Sequence, residues 1–138
     1  MNLAFYLTPK GETLYLYRDT TIAQAIESLQ KNRHTAVPVL NTDGTYSFVL
    51  SEGDLLWAIT EAGQLRPLDL DEITVEEIPH YREYKPVPIS AEVESLYEVA
   101  CQQSFVPVVD DEGIYIGLIR RRDILKQTIR DAKKAKTL

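Results

Sequence analysis

Gly117-Leu118-Ile119-Arg120-Arg121-Arg122-Asp123-Ile124-Leu125 reads as an apolar strand that stops abruptly and becomes a helix. Three arginines occupy the switch point. Unpaired N–H groups make a helix start partly positive, so acidic side chains are favoured there, and each cation costs roughly a few tenths of a kcal/mol. An anion gripped by guanidinium forks and free N–H groups together removes the conflict, and phosphate suits both. Taken alone, an Arg triplet reads as a basic turn facing water or pairing with carboxylates. The pattern around it, however, occurs twice.

Working outward, Ser104-Phe105-Val106-Pro107-Val108-Val109 parallels Thr35-Ala36-Val37-Pro38-Val39-Leu40. The turn Asp110-Asp111-Glu112-Gly113 parallels Asn41-Thr42-Asp43-Gly44, and the returning run Tyr115 to Ile119 parallels Tyr46 to Leu50. Arg120 to Asp123 then open a helix as Ser51 to Asp54 do. The two Val-Pro-Val stretches are 69 residues apart, and so are Asp54 and Asp123. Two copies of β-α-β-β-α in one register mark a tandem repeat.

The remaining segments fill in the two copies. Residues 3–9 read as a short helical lead-in stopped by Pro9. Leu14 to Tyr17 are β-prone. Asp19, Thr20 or Thr21 caps a helix whose apolar face is Ile22, Ala25, Ile26 and Leu29. Pro38 implies an edge strand or a ligand-facing irregularity. Gly63 and Pro67 mark a linker, in which Thr74 and Glu77 cap one short turn. Val87 to Ile89 repeat the first strand, and Ser90 is read as the cap of a helix carrying Val93, Leu96, Tyr97 and Ala100. The expected organisation is a first repeat with its lead-in over 1–60, a linker over 61–84 and a second repeat with a basic C-terminal helix over 85–138.

Composition narrows the function. At 138 residues the chain is one compact unit, or two halves sharing a core, with an ordinary apolar content of 44%. A net charge of −6 argues against general nucleic-acid binding, although from Arg120 onward eight Lys or Arg face two Asp. No apolar run is long enough to cross a membrane and the start lacks the basic region of a secretory signal, so a cytoplasmic protein is expected. The single cysteine, Cys101, excludes an internal disulfide and a Cys-cluster metal site, and its helical context suggests a buried structural thiol. His34 and His80 have no partner at metal-ligand spacing. With no Ser-His-Asp arrangement, P-loop or dinucleotide fingerprint, a non-enzyme is expected.

HTAVPVLNTDG followed by SFVLSEGDLL, and SFVPVVDDEG followed by GLIRRRDIL, resemble the two halves of a tandem pair of cystathionine-β-synthase (CBS) domains, of the stand-alone bacterial type. The resemblance spans about Leu14 to Ile129. It implies a mixed α/β (α+β) fold in which two β-α-β-β-α repeats, related by a pseudo-twofold axis, form one Bateman-type module. It also implies a regulatory sensor that binds an adenosine compound (AMP, ADP, ATP, S-adenosylmethionine or cyclic di-AMP), needs no other cofactor and signals occupancy to a separate protein partner.

In such pairs each cleft takes a first strand and a Pro strand from one repeat and the T-x-x-D helix start from the other. Carried over, one cleft uses Thr13, Leu14, Thr35, Ala36, Val37 and Pro38 with Arg120, Arg121, Arg122 and Asp123. The other uses Lys85, Ser104, Phe105, Val106 and Pro107 with Ser51 and Asp54. The family pattern is broken at Arg120, which stands in the Thr position, and at Phe48, which stands in a Gly position. Glu52 would repel phosphate, so the first cleft has the better charge.

The residues also admit plainer readings. Ser51 and Asp54 form a capping box without any ligand. Arg120 cannot accept N–H bonds, so Asp123 has no such partner. Thr35 and Ser104 serve equally as polar groups bonded to the backbone. Family likeness places Leu56, Trp57 and Leu125 at a homodimer contact rather than in a core. Two other readings stay open: an interaction dimer without a physiological ligand, and a weak nucleic-acid contact through the basic C-terminal helix.

Overall fold

The computed structural model of the chain describes residues 2–61 and 66–137; Gly63, one of the two linker marks, lies outside them. In chain order the strands are β1 (Thr8–Pro9), β2 (Leu16–Tyr17), β3 (Ala36–Leu40), β4 (Tyr46–Ser51), β5 (Val87–Pro88), β6 (Phe105–Val109) and β7 (Tyr115–Arg120). The helices are α1 (Ile22–Asn32), α2 (Glu52–Thr60), α3 (Val93–Ala100) and α4 (Arg121–Thr137). The fold is the mixed α+β arrangement expected, with two sheets. No helix among the described residues is long and apolar enough to cross a membrane.

The chain divides into two compact units. One is the continuous segment Leu14–Tyr84; the other joins the residues through Thr13 to those from Lys85 onward. In the continuous unit the sheet order is β2-β3-β4. α1 starts where Thr21 and Gln24 cap each other's backbone N–H, at 3.2 and 3.0 Å, which satisfies two orphan donors at once. Its apolar face (Ile22, Ala25, Leu29) meets Val37, Val39 and Leu50 from the sheet. The expected linker closes the same core, with Val75 fully buried and Ile78 nearly so. Ile22 N donates to Ile73 O and Val75 N to Thr20 O, both at 2.9 Å. Residues 66–84 are therefore built into the first repeat rather than strung between repeats. Glu77 accepts from Thr74 N at 2.7 Å and closes the short turn anticipated there.

Pro38 does not lie on an edge strand: β3 is central. The physical escape is that β2 pairs with β3 only at Val39 and Leu40. Pro38 sits beyond the end of β2, where a missing N–H interrupts no ladder. Pro107 repeats the device, because β5 reaches only Val108 and Val109.

The second unit has sheet order β1-β7-β6-β5. Its outermost strand comes from the lead-in, which was expected to accompany the first repeat. After a 3-10 turn at Leu3–Phe5 the chain extends, and Thr8 and Pro9 pair antiparallel with Leu118 and Gly117. Leu3 and Tyr6 are buried among Val87, Leu96, Val106 and Ile119. Gly117 makes this possible. Its φ is +152°, and a Cβ there would stand 2.2 Å from Thr8 O. The helix α3 begins at Val93 with Glu92 at its cap position and no side-chain cap bond, so Ser90 is not the cap. Cys101 follows α3 and is exposed, not buried.

Candidate functional site

The strand-to-helix switch is built the same way in both units. The first N–H of each helix needs an acceptor, and a carbonyl one strand away supplies it. Glu52 N donates to Thr35 O at 2.9 Å, and Arg121 N donates to Ser104 O at 3.0 Å. Ala36 pairs with Ser51, and Phe105 with Arg120. Within each unit the Pro strand and the helix start thus form one rigid corner. Thr35 and Ser104 hold it through their carbonyls while their residues stay exposed.

The corners differ in what they leave available. Asp54 is only 1% exposed. Its carboxylate accepts from Ser51 N at 2.9 Å and from Tyr81 N at 3.0 Å, and Ser51 Oγ accepts from Asp54 N at 3.2 Å. The capping box is complete, and Asp54 is fully employed in holding α2 and residue 81. At the other corner, the Asp123 side chain is 29% exposed and faces Arg120, whose guanidinium lies 3.8 Å from Oδ2. Arg120 also donates a long bond of 3.4 Å to Thr8 Oγ1.

Arg121 is used by the protein itself. Its Nε donates to Ala100 O at 2.9 Å, the last residue of α3. A helix end leaves carbonyls unpaired and partly negative, so this cation is well placed without a ligand. Two of the three clustered arginines therefore have protein partners, which eases the charge conflict foreseen from the sequence. Arg122 is exposed.

Other expected site residues divide by role. Val37 and Val106 are 1% and 0% exposed and belong to the two cores, so only their backbone is on offer. Pro38 and Pro107 are buried, Ala36 and Phe105 half-buried. Thr13 Oγ1 donates to Lys10 O and is 2.9 Å from the Tyr115 hydroxyl. Leu14 packs against the first core. Lys85 is exposed, and its backbone is clamped at both ends by Gln103, which accepts from Lys85 N at 2.6 Å and donates to Lys85 O at 3.1 Å. Sequence reasoning missed Gln103, since a lone amide beside Ser104 carries no signal.

The structure groups Leu14, Thr35 to Pro38, Ser51 and Asp54 in one unit. It groups Thr13, Lys85, Ser104 to Pro107 and Arg120 to Asp123 in the other. In that second unit Arg120 and Asp123 line a cavity of about 270 Å³ together with Phe5, Thr8, Lys126 and Arg130. Thr8, Lys126 and Arg130 were not anticipated. In the continuous unit, α1 and α2 border an apolar depression of about 690 Å³ beside Leu55, Leu56 and Ile59. Leu56 and Trp57 are more than half exposed, as is Leu125 on α4, so Trp57 is not core. His80 stacks on Phe48 with centroids 3.6 Å apart, and its Nε2 lies 3.2 Å from Val75 O.

Known proteins resemble this chain in sequence and in fold. The chain is 25% identical to the uncharacterized protein MJ1426 of Methanocaldococcus jannaschii, over 84% of its own length and 86% of that relative's. The crystal structure of CbpB in complex with c-di-AMP superposes with a TM-score of 0.86 at 23% identity, covering 99% of this chain and 89% of that one. CBSX2 in complex with AMP superposes with a TM-score of 0.73 at 22% identity, over 95% and 98% of the two chains. The family model of the CBS domain matches residues 9–61 and again 80–130. With both matches in register with the two corners, the chain belongs to the CBS domain family, as a tandem pair.

Proposed function

We propose that this chain is a non-catalytic regulatory module that binds an adenosine nucleotide and passes its occupancy to a partner protein. The nucleotide is AMP, ADP, ATP or cyclic di-AMP, and Asp123 and Arg120 are its principal anchors. The observation that carries this reading is the contrast between the two corners. Asp54 is buried and saturated by backbone N–H groups, whereas Asp123 stands partly open on a cavity edged with cations. A carboxylate accepts from two ribose hydroxyls, and a guanidinium beside it holds phosphate. Arg122, exposed on the same turn, adds positive charge. The solved structures with c-di-AMP and with AMP support the ligand class.

Equilibrium titration of the purified chain with AMP, ADP, ATP and cyclic di-AMP tests the proposal. Saturable binding of at least one, weakened by Asp123→Ala and not by Glu52→Ala, is the expected result. Absence of saturable binding to every adenosine compound overturns it. A ligand shifts a partner equilibrium only by its differential affinity for the two states, so the same titration repeated on the partner complex measures the signal. The exposed faces of α2 and α4 (Leu56, Trp57, Leu125) support a homodimer. Native mass spectrometry of wild type and Trp57→Lys reads that directly, together with any co-purifying nucleotide.

A further inference from the structure

Beyond Arg120 and Asp123, the cavity of the second unit continues along α4 to Lys126 and Arg130. Helical spacing puts Asp123, Lys126 and Arg130 on one face of α4, with Lys126 and Arg130 about 5 and 10 Å past Asp123 along the axis, and Arg120 ends the strand just before it. Neither cation is explained by its surroundings. The described ion pairs involve neither of them. The next carboxylate on the helix, Asp131, takes a hydrogen bond from Gln127 at 3.0 Å. The helix dipole favours cations only in the last turn, and that turn already carries Lys134 and Lys136. Nor does the repeat itself require positive charge here. Sixty-nine residues earlier the matching positions hold Trp57 and Glu61. The opposite wall is supplied by the lead-in, where Phe5 is 64% exposed in a unit that buries its neighbours Leu3 and Tyr6.

We infer that Lys126 and Arg130 form a second phosphate subsite, within the second unit, so that the chain selects ligands carrying more than one phosphate group. A single phosphate is served by Arg120. A second one, a few ångströms further along α4, meets a Lys point charge and an Arg fork, the two side chains best suited to it. The exposed ring of Phe5 borders the same space and gives a planar group a surface to stack on. The subsite does not depend on the base being adenine.

The probe is inorganic pyrophosphate, titrated calorimetrically into the full chain and compared with orthophosphate. Pyrophosphate is expected to bind saturably and to lose at least tenfold in affinity in Lys126→Gln/Arg130→Gln. Both changes are on an exposed helix face, so far-UV circular dichroism and the melting temperature should not move. Lys133→Gln/Lys134→Gln controls for diffuse attraction to the basic tail. It should bind pyrophosphate as the wild type does, and an equal loss in this control overturns the inference. So does pyrophosphate that fails to saturate, or binds the double variant as it binds the wild type. In nucleotide titrations the double variant should keep its AMP affinity and lose the preference for ADP over AMP. If no adenosine compound binds but pyrophosphate behaves as stated, the adenosine reading fails and the phosphate subsite stands. If nucleotides bind wild type and double variant alike, the subsite fails alone.

Discussion

Replacing Gly117 by Ala probes the junction on which the second sheet depends. At φ +152° an L side chain is strained, and this costs roughly 1–3 kcal/mol where the backbone is held in place. The added Cβ would also stand 2.2 Å from Thr8 O and 2.9 Å from Leu7 Cδ1. Leu7 can swing aside, but Thr8 O is backbone, so β1 itself must retreat, at a further cost of about 1–3 kcal/mol. The sum is roughly 2–6 kcal/mol. An independent ceiling comes from letting β1 go altogether. Burial of Leu3 and Tyr6 is then lost, at about 1.5–3 kcal/mol for each side chain. Both routes end at a few kcal/mol, a large share of a small protein's stability. Gly11→Ala is the matched control, because a Cβ there meets nothing within 4 Å. It should be neutral, or stabilising by about 0.4–1 kcal/mol through the unfolded chain. Urea unfolding of both variants gives the magnitudes, and limited proteolysis reports whether residues 2–9 are still protected. A Gly117→Ala protein within about 0.5 kcal/mol of wild type, with its N-terminal segment still protected, would refute the reasoning.

Other consequences are as specific. Asp54→Ala leaves the backbone N–H groups of Ser51 and Tyr81 without their acceptor, so it should cost about 2–3 kcal/mol in urea unfolding, while Asp123→Ala should change stability little. Arg121→Met loses the bond to Ala100 O; discounted for exposure, about 1 kcal/mol of stability should go, with ligand affinity changed less than by Arg120→Met. Hydrogen bonds from Thr45 hold the Asp43 carboxyl below its ordinary 3.8, so its contribution is present above that pH and fades as pH falls through the lowered value. Thr45→Val should flatten the acid side of the urea-midpoint profile, and an unchanged profile would show the bonds to be idle. Burial, with help from the Tyr97 hydroxyl 3.2 Å away, pushes Tyr6 up from 10.0 to about 12. Its neutral form is the one folded, so that stability is complete below pH 10 and is lost as pH rises through about 12. Ultraviolet titration should show one fewer late-ionising tyrosine in Tyr6→Phe.

The features read correctly from sequence were those with a local physical cause. The spacing of 69 residues exposed the duplication, and Ser51 with Asp54 declared a helix start because a capping box is written in four residues. What was missed depended on distant chain. Nothing in Thr8-Pro9 announces a strand, since a two-residue strand has no periodicity and borrows its partner from residues 117 and 118. The bond from Arg121 Nε to the last carbonyl of α3 was missed, because that acceptor lies 21 residues earlier. Cys101 lies one turn after the exposed Tyr97, off the side of the pattern that buries Leu96 and Ala100, and is exposed. Lys126 and Arg130 counted only as part of a basic C-terminal helix, and the lead-in that borders the same cavity lies more than a hundred residues earlier.

The discontinuous unit also imposes a timetable on the growing polypeptide. Leu14–Tyr84 is one continuous segment, so this unit can form as soon as it leaves the ribosome. Residues 2–13 emerge earlier than any of these, yet β7, the strand they dock on, is translated more than a hundred positions later. Through that interval Leu3 and Tyr6 stand without the strands that bury them.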